Sequence, residues 1–323
     1  MRHHLFLFIV CVGLTVSLSS RAQDTSKVVF KDVSYKIVGD GTPVLLDIFL
    51  PKMQVPDAKA PVAMIIHGGG WVEGDKNLET IYYMRRLKER LLQEGLAVIS
   101  IDYRLVGKSV HLPVPIEDCK DAIRWVRANA IKYHLDGNNI GLWGGSAGGH
   151  LALLAAYSQS AAWVDDTALE AYSSKVNCVV DNFGPTDLNR LFKTKMSRFS
   201  LFFAKLFFKK LFSIRNRLIF ALSGYHISSD KKEVISNMSV YSPLQYVKAG
   251  SVPTLIFQGT GDKVVPFEQS VLLHQALSDN RTENRLITVK DGDHGFNNIS
   301  KGQIDDLVNQ TVAFMKASLR ERE

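Results

Sequence analysis

The Gly-Gly-Ser-Ala-Gly sequence at positions 144–148 constrains the fold most, because it lies between a short apolar run and an apolar helical pattern. The run at 140–143 predicts a strand, and residues 147–157 predict a helix. A serine on so sharp a strand-to-helix turn has strained backbone angles, and only small neighbours fit beside it. The turn raises the hydroxyl above the sheet edge, where the helix N-terminus offers free N–H groups. We therefore predict Ser146 to be a nucleophile; a glycine-rich turn that only joins the two elements is the alternative.

The other apolar runs predict the sheet to which this turn belongs. Seven further runs predict strands, at 28–38, 44–50, 62–66, 97–103, 176–182, 254–258 and 286–289. Helical patterns follow several of them, at 77–94, 116–133, 267–277 and 303–319. Two opening strands followed by repeated strand–helix units imply an α/β fold, with a mostly parallel eight-stranded sheet and helices on both faces.

A second glycine-rich stretch, His-Gly-Gly-Gly-Trp at 67–71, directly follows the strand predicted at 62–66. An attacking serine turns a carbonyl oxygen into an oxyanion, and that charge needs backbone N–H donors. We predict Gly69 and Gly70 as donors, together with the N–H of Ala147. His67 is expected to brace the loop, and a flexible loop without donors is the alternative.

A serine nucleophile also needs a base and an acid that orients the base. His294 follows the last predicted strand, and Asp262 follows the strand before it. The chain order Ser146, Asp262, His294 is the order expected for a nucleophile on such a turn. Asp187, Asp291 and Asp293 are rival acids. Trp71 and His150 are predicted to contact the substrate near the nucleophile.

The N-terminus predicts export. Arg2 precedes an apolar run at 5–18, and small residues then lead to Ala22. This pattern is typical of a secretory signal peptide over residues 1–22, which leaves a mature domain at 23–323 in the periplasm or outside the cell. An uncleaved membrane anchor is the alternative, although the run is short for a bilayer span. The mature chain keeps Cys119 and Cys178, which we expect to be buried free thiols, with a disulfide as the alternative.

A basic, phenylalanine-rich segment interrupts the strand–helix pattern. Between Arg190 and Arg217 there are nine lysine and arginine residues, seven phenylalanines and no acidic residue. The formal charge of +7 is therefore local, and no nucleic-acid-binding motif accompanies it. We expect a helical cap at about 188–240, with the phenylalanines over the active site and the charges in water. The alternative is a helix that contacts an anionic membrane surface or an acidic polysaccharide.

Several motifs together resemble the α/β-hydrolase superfamily, and more narrowly the carboxylesterase group with an HGGGW loop and a GxSAGGH turn. Within this group the chain is most similar to bacterial feruloyl and acetyl-xylan esterase-like hydrolases. The matching stretches are 67–71, 122–130, 144–150, 183–188, 241–247, 259–266 and 292–296. The basic segment departs most from the group.

This resemblance implies a serine hydrolase that cleaves carboxylic esters through an acyl-enzyme, without a metal or an organic cofactor. Its implied substrates are small or polysaccharide-linked esters with short acyl or feruloyl groups. An amidase, peptidase or formamidase-like activity on the same scaffold is one alternative. A non-catalytic binding protein on a hydrolase fold is another.

Overall fold

The computed structural model describes residues 26–52, 58–197 and 209–319. The segment 1–22, predicted to be a signal peptide, lies outside the described residues, as do residues 198–208 of the predicted cap. In the described parts of the chain, every helix is too short or too polar to cross a lipid bilayer.

One eight-stranded sheet organises the chain, in the spatial order β1-β2-β4-β3-β5-β6-β7-β8. The strands are β1 (Ser26–Ile37), β2 (Pro43–Pro51), β3 (Ala60–Ile66), β4 (Ala97–Ile101), β5 (Leu135–Gly145), β6 (Cys178–Asn182), β7 (Thr254–Gly259) and β8 (Asn284–Val289). Strand β2 pairs antiparallel with β1 and β4, and every other pair is parallel. The predicted α/β-hydrolase fold is confirmed.

Helices cover both faces of this sheet. They are α1 (Tyr82–Gln93), α2 (Val114–Ala128), α3 (Ala147–Tyr157), α4 (Leu188–Leu191), α5 (Lys209–Ser223), α6 (Lys231–Val240), α7 (Glu268–Asp279) and α8 (Lys301–Ser318). One core cluster packs α2 and α3 against one face, and a second packs α1 and α8 against the other. The central strands are buried on both sides, which explains their continuous apolar runs.

Several element boundaries differ from the sequence prediction, and two of these differences have clear local reasons. Helix α1 begins at Tyr82 rather than at 77, because the preceding side chains form short turns. Asp75 accepts a hydrogen bond from the N–H of Asn77, and Asn77 accepts one from Glu79. Such bonds compete with helical pairing. Helix α2 ends at Ala128 rather than at 133. At this end, the side-chain amide of Asn129 donates a hydrogen bond back to the carbonyl of Trp125.

Helices α4, α5 and α6 lie between β6 and β7, within the segment predicted as a cap. Their buried residues include Ile219, Leu222 and Val234, which join the same core cluster as α2 and α3. The phenylalanines of 198–208 lie outside the described residues, so the predicted placement of that apolar face stays a prediction.

The two cysteines of the described residues, Cys119 and Cys178, are free and buried. Cys119 lies in α2 and packs in one core cluster, whereas Cys178 begins β6 and packs in the other. Burial raises the pKa of the Cys178 thiol to about 12 and that of Cys119 well above its usual range. Both thiols are therefore protonated at neutral pH, as expected for structural rather than reactive cysteines.

Candidate active site

Ser146 stands at the turn between β5 and α3, with φ of 55° and ψ of −120°. This left-handed conformation is strained for a serine and is held by close packing of its neighbours. A Cβ atom at Gly144 would lie 2.2 Å from the carbonyl oxygen of Gly148, and one at Gly148 would lie 2.1 Å from that of Ile66. The glycines of the motif are thus required by the approach of three backbone segments.

The structure brings the three predicted catalytic side chains together in one chain of hydrogen bonds. The Ser146 hydroxyl lies 2.9 Å from Nε2 of His294, and Nδ1 of His294 lies 2.8 Å from Oδ2 of Asp262. In the neutral imidazole, Nδ1–H donates to the carboxylate and Nε2 accepts from the hydroxyl. This tautomer leaves Nε2 positioned to take the serine proton during nucleophilic attack.

The Asp262 carboxylate is buried but well supported by hydrogen bonds. The N–H groups of Val264 and Val265 donate to Oδ1 at 2.8 and 2.9 Å. The amide of Gln258 donates to Oδ2 at 3.1 Å. Burial raises the pKa of Asp262, but the bonds from His294 and these N–H groups outweigh it, and the pKa lies below its usual value. Asp262 therefore stays ionised and can stabilise a positively charged His294.

The rival acids point elsewhere. Asp187 caps the N-terminus of α4, where its side chain accepts a bond from the N–H of Arg190. The Asp293 side chain accepts one from the N–H of Asn297. Asp291 makes its bonds through its backbone. Of the four candidate carboxylates in the described residues, Asp262 is the one that bonds the His294 imidazole.

Phe183 packs against His294, the predicted base, and was missed at the sequence level. Its ring meets the imidazole of His294 edge-on, with the ring centroids 4.9 Å apart. Phe183 has a φ of 47° directly after β6, and its N–H donates to the carbonyl of Phe257 on the neighbouring strand. Its position at the carboxyl end of a central strand, next to the nucleophile, was the available signal.

The glycine loop after β3 lies against the nucleophile turn. A Cβ atom at Gly68 would lie 3.0 Å from the carbonyl oxygen of Gly145 and 3.5 Å from Cβ of Ser146. The Gly69 carbonyl accepts bonds from the N–H groups of Val72 and Glu73, both at 3.1 Å. Because the peptide unit is planar and trans, the N–H of Gly70 points in the opposite direction from the Gly69 carbonyl, away from the N–H groups of Val72 and Glu73.

Helix α3 supplies the other predicted donor. The N–H of Ala147 belongs to the first turn of α3, where N–H groups have no intrahelical acceptor. The geometry is compatible with Gly69, Gly70 and Ala147 as oxyanion donors, and these roles stay predictions.

His67 packs against the loop as the bracing prediction requires. Its Nδ1–H donates to the Gly68 carbonyl at 2.7 Å, and its ring stacks on Tyr103 with centroids 4.2 Å apart. The Tyr103 hydroxyl donates in turn to the His67 carbonyl at 3.1 Å. Burial lowers the pKa of His67, so the imidazole is neutral.

Trp71 and His150 are both buried beside the site. The Trp71 indole N–H donates to Nδ1 of His150 at 3.2 Å, and Nε2–H of His150 donates to the Tyr241 carbonyl at 2.7 Å. His150 is 0% exposed and both ring nitrogens are occupied. This arrangement favours a positioning role for His150 instead of the predicted substrate contact. For Trp71 the substrate contact stays a prediction.

In the described residues, no three histidine, cysteine or carboxylate side chains are arranged to bind a metal ion.

Comparison with known proteins places this geometry in a family. The BD-FAE family model matches residues 46–277, which include the glycine loop, Ser146 and Asp262. The chain belongs to the BD-FAE family. It is thereby a member of the α/β-hydrolase carboxylesterase group, as the sequence motifs predicted.

Curated relatives are longer than this chain. Esterase LipC of Mycobacterium tuberculosis is 27% identical over 287 residues, which cover 88% of this chain and 65% of LipC. Esterase LipQ of the same organism is 30% identical over 239 residues, which cover 73% of this chain and 50% of LipQ. The chain thus spans about two thirds and one half of the lengths of these relatives.

Solved structures share the fold. Apo Thermogutta terrifontis esterase 2 is 26% identical to this BD-FAE member, with a TM-score of 0.63 and coverage of 91% of this chain and 92% of that one. A bifunctional GH43-CE protein of Bacteroides eggerthii is 27% identical, with a TM-score of 0.70 over 90% of this chain and 38% of that one.

Proposed function

We propose that this BD-FAE member is a serine hydrolase that cleaves carboxylic esters through an acyl-enzyme. The observation that carries the proposal is the bonded series from Ser146 through His294 to Asp262, with distances of 2.9 and 2.8 Å. His294 takes the proton of Ser146 as the hydroxyl attacks the ester carbonyl. Gly69, Gly70 and Ala147 stabilise the oxyanion, and water then attacks the acyl-enzyme with His294 again as base.

The decisive experiment replaces the nucleophile. Ser146→Ala removes the attacking oxygen, so hydrolysis of 4-nitrophenyl acetate should fall by about 10³-fold or more while the circular dichroism spectrum stays unchanged. Ser278→Ala, an exposed serine on α7, is the matched control and should keep full activity. Full turnover by folded Ser146→Ala would refute the assignment.

Two other outcomes distinguish the alternative activities. Faster hydrolysis of an amide than of the ester with the same acyl group would indicate an amidase or peptidase. If the protein does not hydrolyse esters and Ser146 does not react with a fluorophosphonate, the protein is a binding protein on a hydrolase fold.

We propose short acyl or feruloyl groups on carbohydrate as the natural esters. Support comes from the sequence resemblance to feruloyl and acetyl-xylan esterase-like hydrolases and from the likeness to the GH43-CE protein. Release of acetate from acetylated xylan and of ferulate from methyl ferulate, compared with simple esters of increasing acyl length, tests this. Preference for long-chain lipid esters would contradict it.

We also propose that the protein is exported, on the sequence pattern of residues 1–22 alone. N-terminal sequencing of protein recovered from the periplasm or medium should begin after Ala22. A chain that starts at Met1 and sediments with membranes would instead indicate an uncleaved anchor.

A further inference from the structure

A second pocket, separate from the catalytic side chains, opens between α5 and the loop that follows β4. Its volume is about 640 Å³, within the range usual for small-molecule sites. Lining residues from α5 include Lys209, Phe212, Arg217 and Phe220, which recur at helical spacing and so share one face. Among the described residues, nothing fills the space beside much of this face of α5.

Positive charge dominates the rim of this pocket. Lys108 from the loop after β4 lines it, as do Lys209 and Arg217 from α5, and each is exposed. Among the described lining residues there is no carboxylate. The Asp230 carboxylate, close in sequence, accepts bonds from the His226 N–H and the Ser229 hydroxyl and is not a lining residue. A ligand would therefore meet basic groups that no acidic lining residue neutralises.

Aromatic rings form the walls below this rim. Phe220 stacks on the ring of His226, with centroids 4.4 Å apart and planes 15° from parallel. The ring of His111 meets Phe220 edge-on at 5.5 Å. Phe212 contributes a second, half-buried ring to the lining. Apolar walls with a few charged groups are typical of sites for amphipathic ligands.

Hydrogen bonds connect the loop that lines the pocket to the predicted oxyanion loop, residues 67–71. The N–H of Val106, next to the lining residue Gly107, donates to the carbonyl of Trp71 at 2.9 Å. The N–H of Leu112 donates to the carbonyl of Leu222 at 2.9 Å and so holds this loop against α5. One wall of the pocket is thus continuous with the predicted oxyanion loop.

The other described arginines of the basic segment already have partners on this protein. Arg190 forms an ion pair with Glu268 at 2.5 Å, and Arg215 donates through Nε to the carbonyl of Phe192 at 2.6 Å. Of the described lysines of the segment, Lys193, Lys195 and Lys210 are exposed outside the pocket lining. Lys209 and Arg217 line the pocket together with Lys108.

We propose that this pocket binds a small aromatic anion, whose ring packs against Phe212 and Phe220 while Lys108 and Arg217 contact its negative group. Guanidinium and ammonium groups form the strongest hydrogen bonds with such anions. Because the pocket adjoins the oxyanion loop, the anion is the charged part of a further, aromatic class of ester substrate, besides the carbohydrate esters proposed above. The assignment of the anion to a substrate rests on the proposed function, whereas binding of the anion does not.

Calorimetric titration with 2-naphthoate and its neutral analogue 2-naphthamide tests binding. The wild-type protein and Ser146→Ala should both bind 2-naphthoate, and both should bind 2-naphthamide about tenfold more weakly. The double variant Lys108→Gln/Arg217→Gln should lose this preference for the anion. Lys210→Gln, an exposed neighbour on α5 outside the lining, should bind like the wild type.

Three results would overturn the proposal. They are equal binding of both probes by the wild type, an equal loss of naphthoate binding in Lys210→Gln, and unchanged naphthoate binding in the folded double variant. If that double variant instead loses only its affinity for phosphatidylglycerol vesicles, the basic segment is a membrane surface. Thermal melting of each variant confirms that it is folded.

A kinetic comparison tests the link to the substrate. The carboxylate 4-acetoxybenzoate and its uncharged methyl ester present the same acetyl group. The ratio of their kcat/KM values should fall about tenfold in the double variant, through KM for the charged ester. An unchanged ratio would overturn the link to the substrate. If wild-type protein hydrolyses neither ester, the proposed function fails while the binding result stands.

Discussion

The indole N–H of Trp71 donates to Nδ1 of His150 at 3.2 Å, and this bond joins the predicted oxyanion loop to the helix behind the nucleophile. The opposite ring nitrogen donates to the Tyr241 carbonyl. Burial lowers the pKa of His150 to about 4, so the imidazole is neutral and Nδ1 accepts at neutral pH. One buried side chain thus holds three segments around the site.

Replacing His150 by Phe should lower kcat for 4-nitrophenyl acetate about tenfold and leave KM within about twofold, since the buried Trp71 N–H loses its acceptor. Steady-state kinetics measure both values. In a cycle with Trp71→Phe, the double variant should lose little more than either single variant. The control is His134→Asn, at an exposed histidine that precedes β5, whereas Ser146 follows the other end of this strand. A change in KM alone would instead support direct substrate contact by His150.

Replacing Asp262 by Asn should reduce kcat about 10³- to 10⁴-fold. The amide can donate to Nδ1 of His294, which favours the tautomer that carries its proton on Nε2 and cannot accept from Ser146. The measurement is kcat with 4-nitrophenyl acetate on folded protein. Because the carboxylate also accepts two backbone N–H bonds, melting temperature is recorded in parallel.

The rival acids provide the matched controls. Asp187→Asn and Asp293→Asn each keep a side-chain oxygen for the backbone N–H that the carboxylate now accepts. Both variants should keep kcat within about threefold, since neither carboxylate bonds His294. A loss in Asp187→Asn as large as that in Asp262→Asn would transfer the acid role to Asp187.

The meeting of Ser146, Asp262 and His294 was predictable because each follows a strand at the same edge of the sheet. The apolar runs predicted the strands, and the chain order of serine, acid and base predicted which side chains would meet. Periodicity alone does not place side chains in three dimensions, however. Phe183 and Gln258 lie in ordinary strand-end positions, and their contacts with His294 and Asp262 depend on the register of β6 and β7.

Helix ends and side-chain roles were less predictable. Asn77 looks compatible with the start of a helix, yet its bond to the N–H of Glu79 delays α1 to Tyr82. His150 follows the nucleophile by one helical turn, which suggested a substrate contact. Its burial is decided by Trp71 and Tyr241, which lie far away in sequence.

Replacing Gly144 by Ala should destabilise the protein by about 3 kcal/mol or more and abolish ester hydrolysis, because the added methyl group would lie 2.2 Å from the Gly148 carbonyl oxygen. Urea unfolding measures the loss. At Gly39→Ala, where nothing lies within 4 Å of the new atom, the change should stay within about 0.5 kcal/mol. A fully stable, active Gly144→Ala protein would show that the three backbone segments pack less closely.

The burial of Asp181 leads us to expect an unusual dependence of the unfolding free energy on pH. Its side chain is buried beneath the nucleophile turn, where Oδ1 would lie 2.4 Å from a Cβ at Gly149 and 2.3 Å from one at Gly184. Burial raises the pKa of Asp181 to about 7, and the single bond from the Gly184 N–H opposes this only in part. The folded protein therefore keeps a proton that the unfolded chain loses near pH 4.

Between about pH 4 and 7 the folded state binds more protons at this site, so Asp181 makes stability fall as pH rises, by up to about 1.4 kcal/mol per pH unit. Above pH 7 both states are ionised and the slope vanishes. Asp181→Asn removes the titration without removing the oxygen that accepts from Gly184. The unfolding free energy of the wild type minus that of the variant should therefore decrease from pH 4 to 7 and then level off. High salt should leave this slope in place, because its cause is burial rather than a nearby charge. A difference that stays constant with pH would show that Asp181 is ionised in the folded protein.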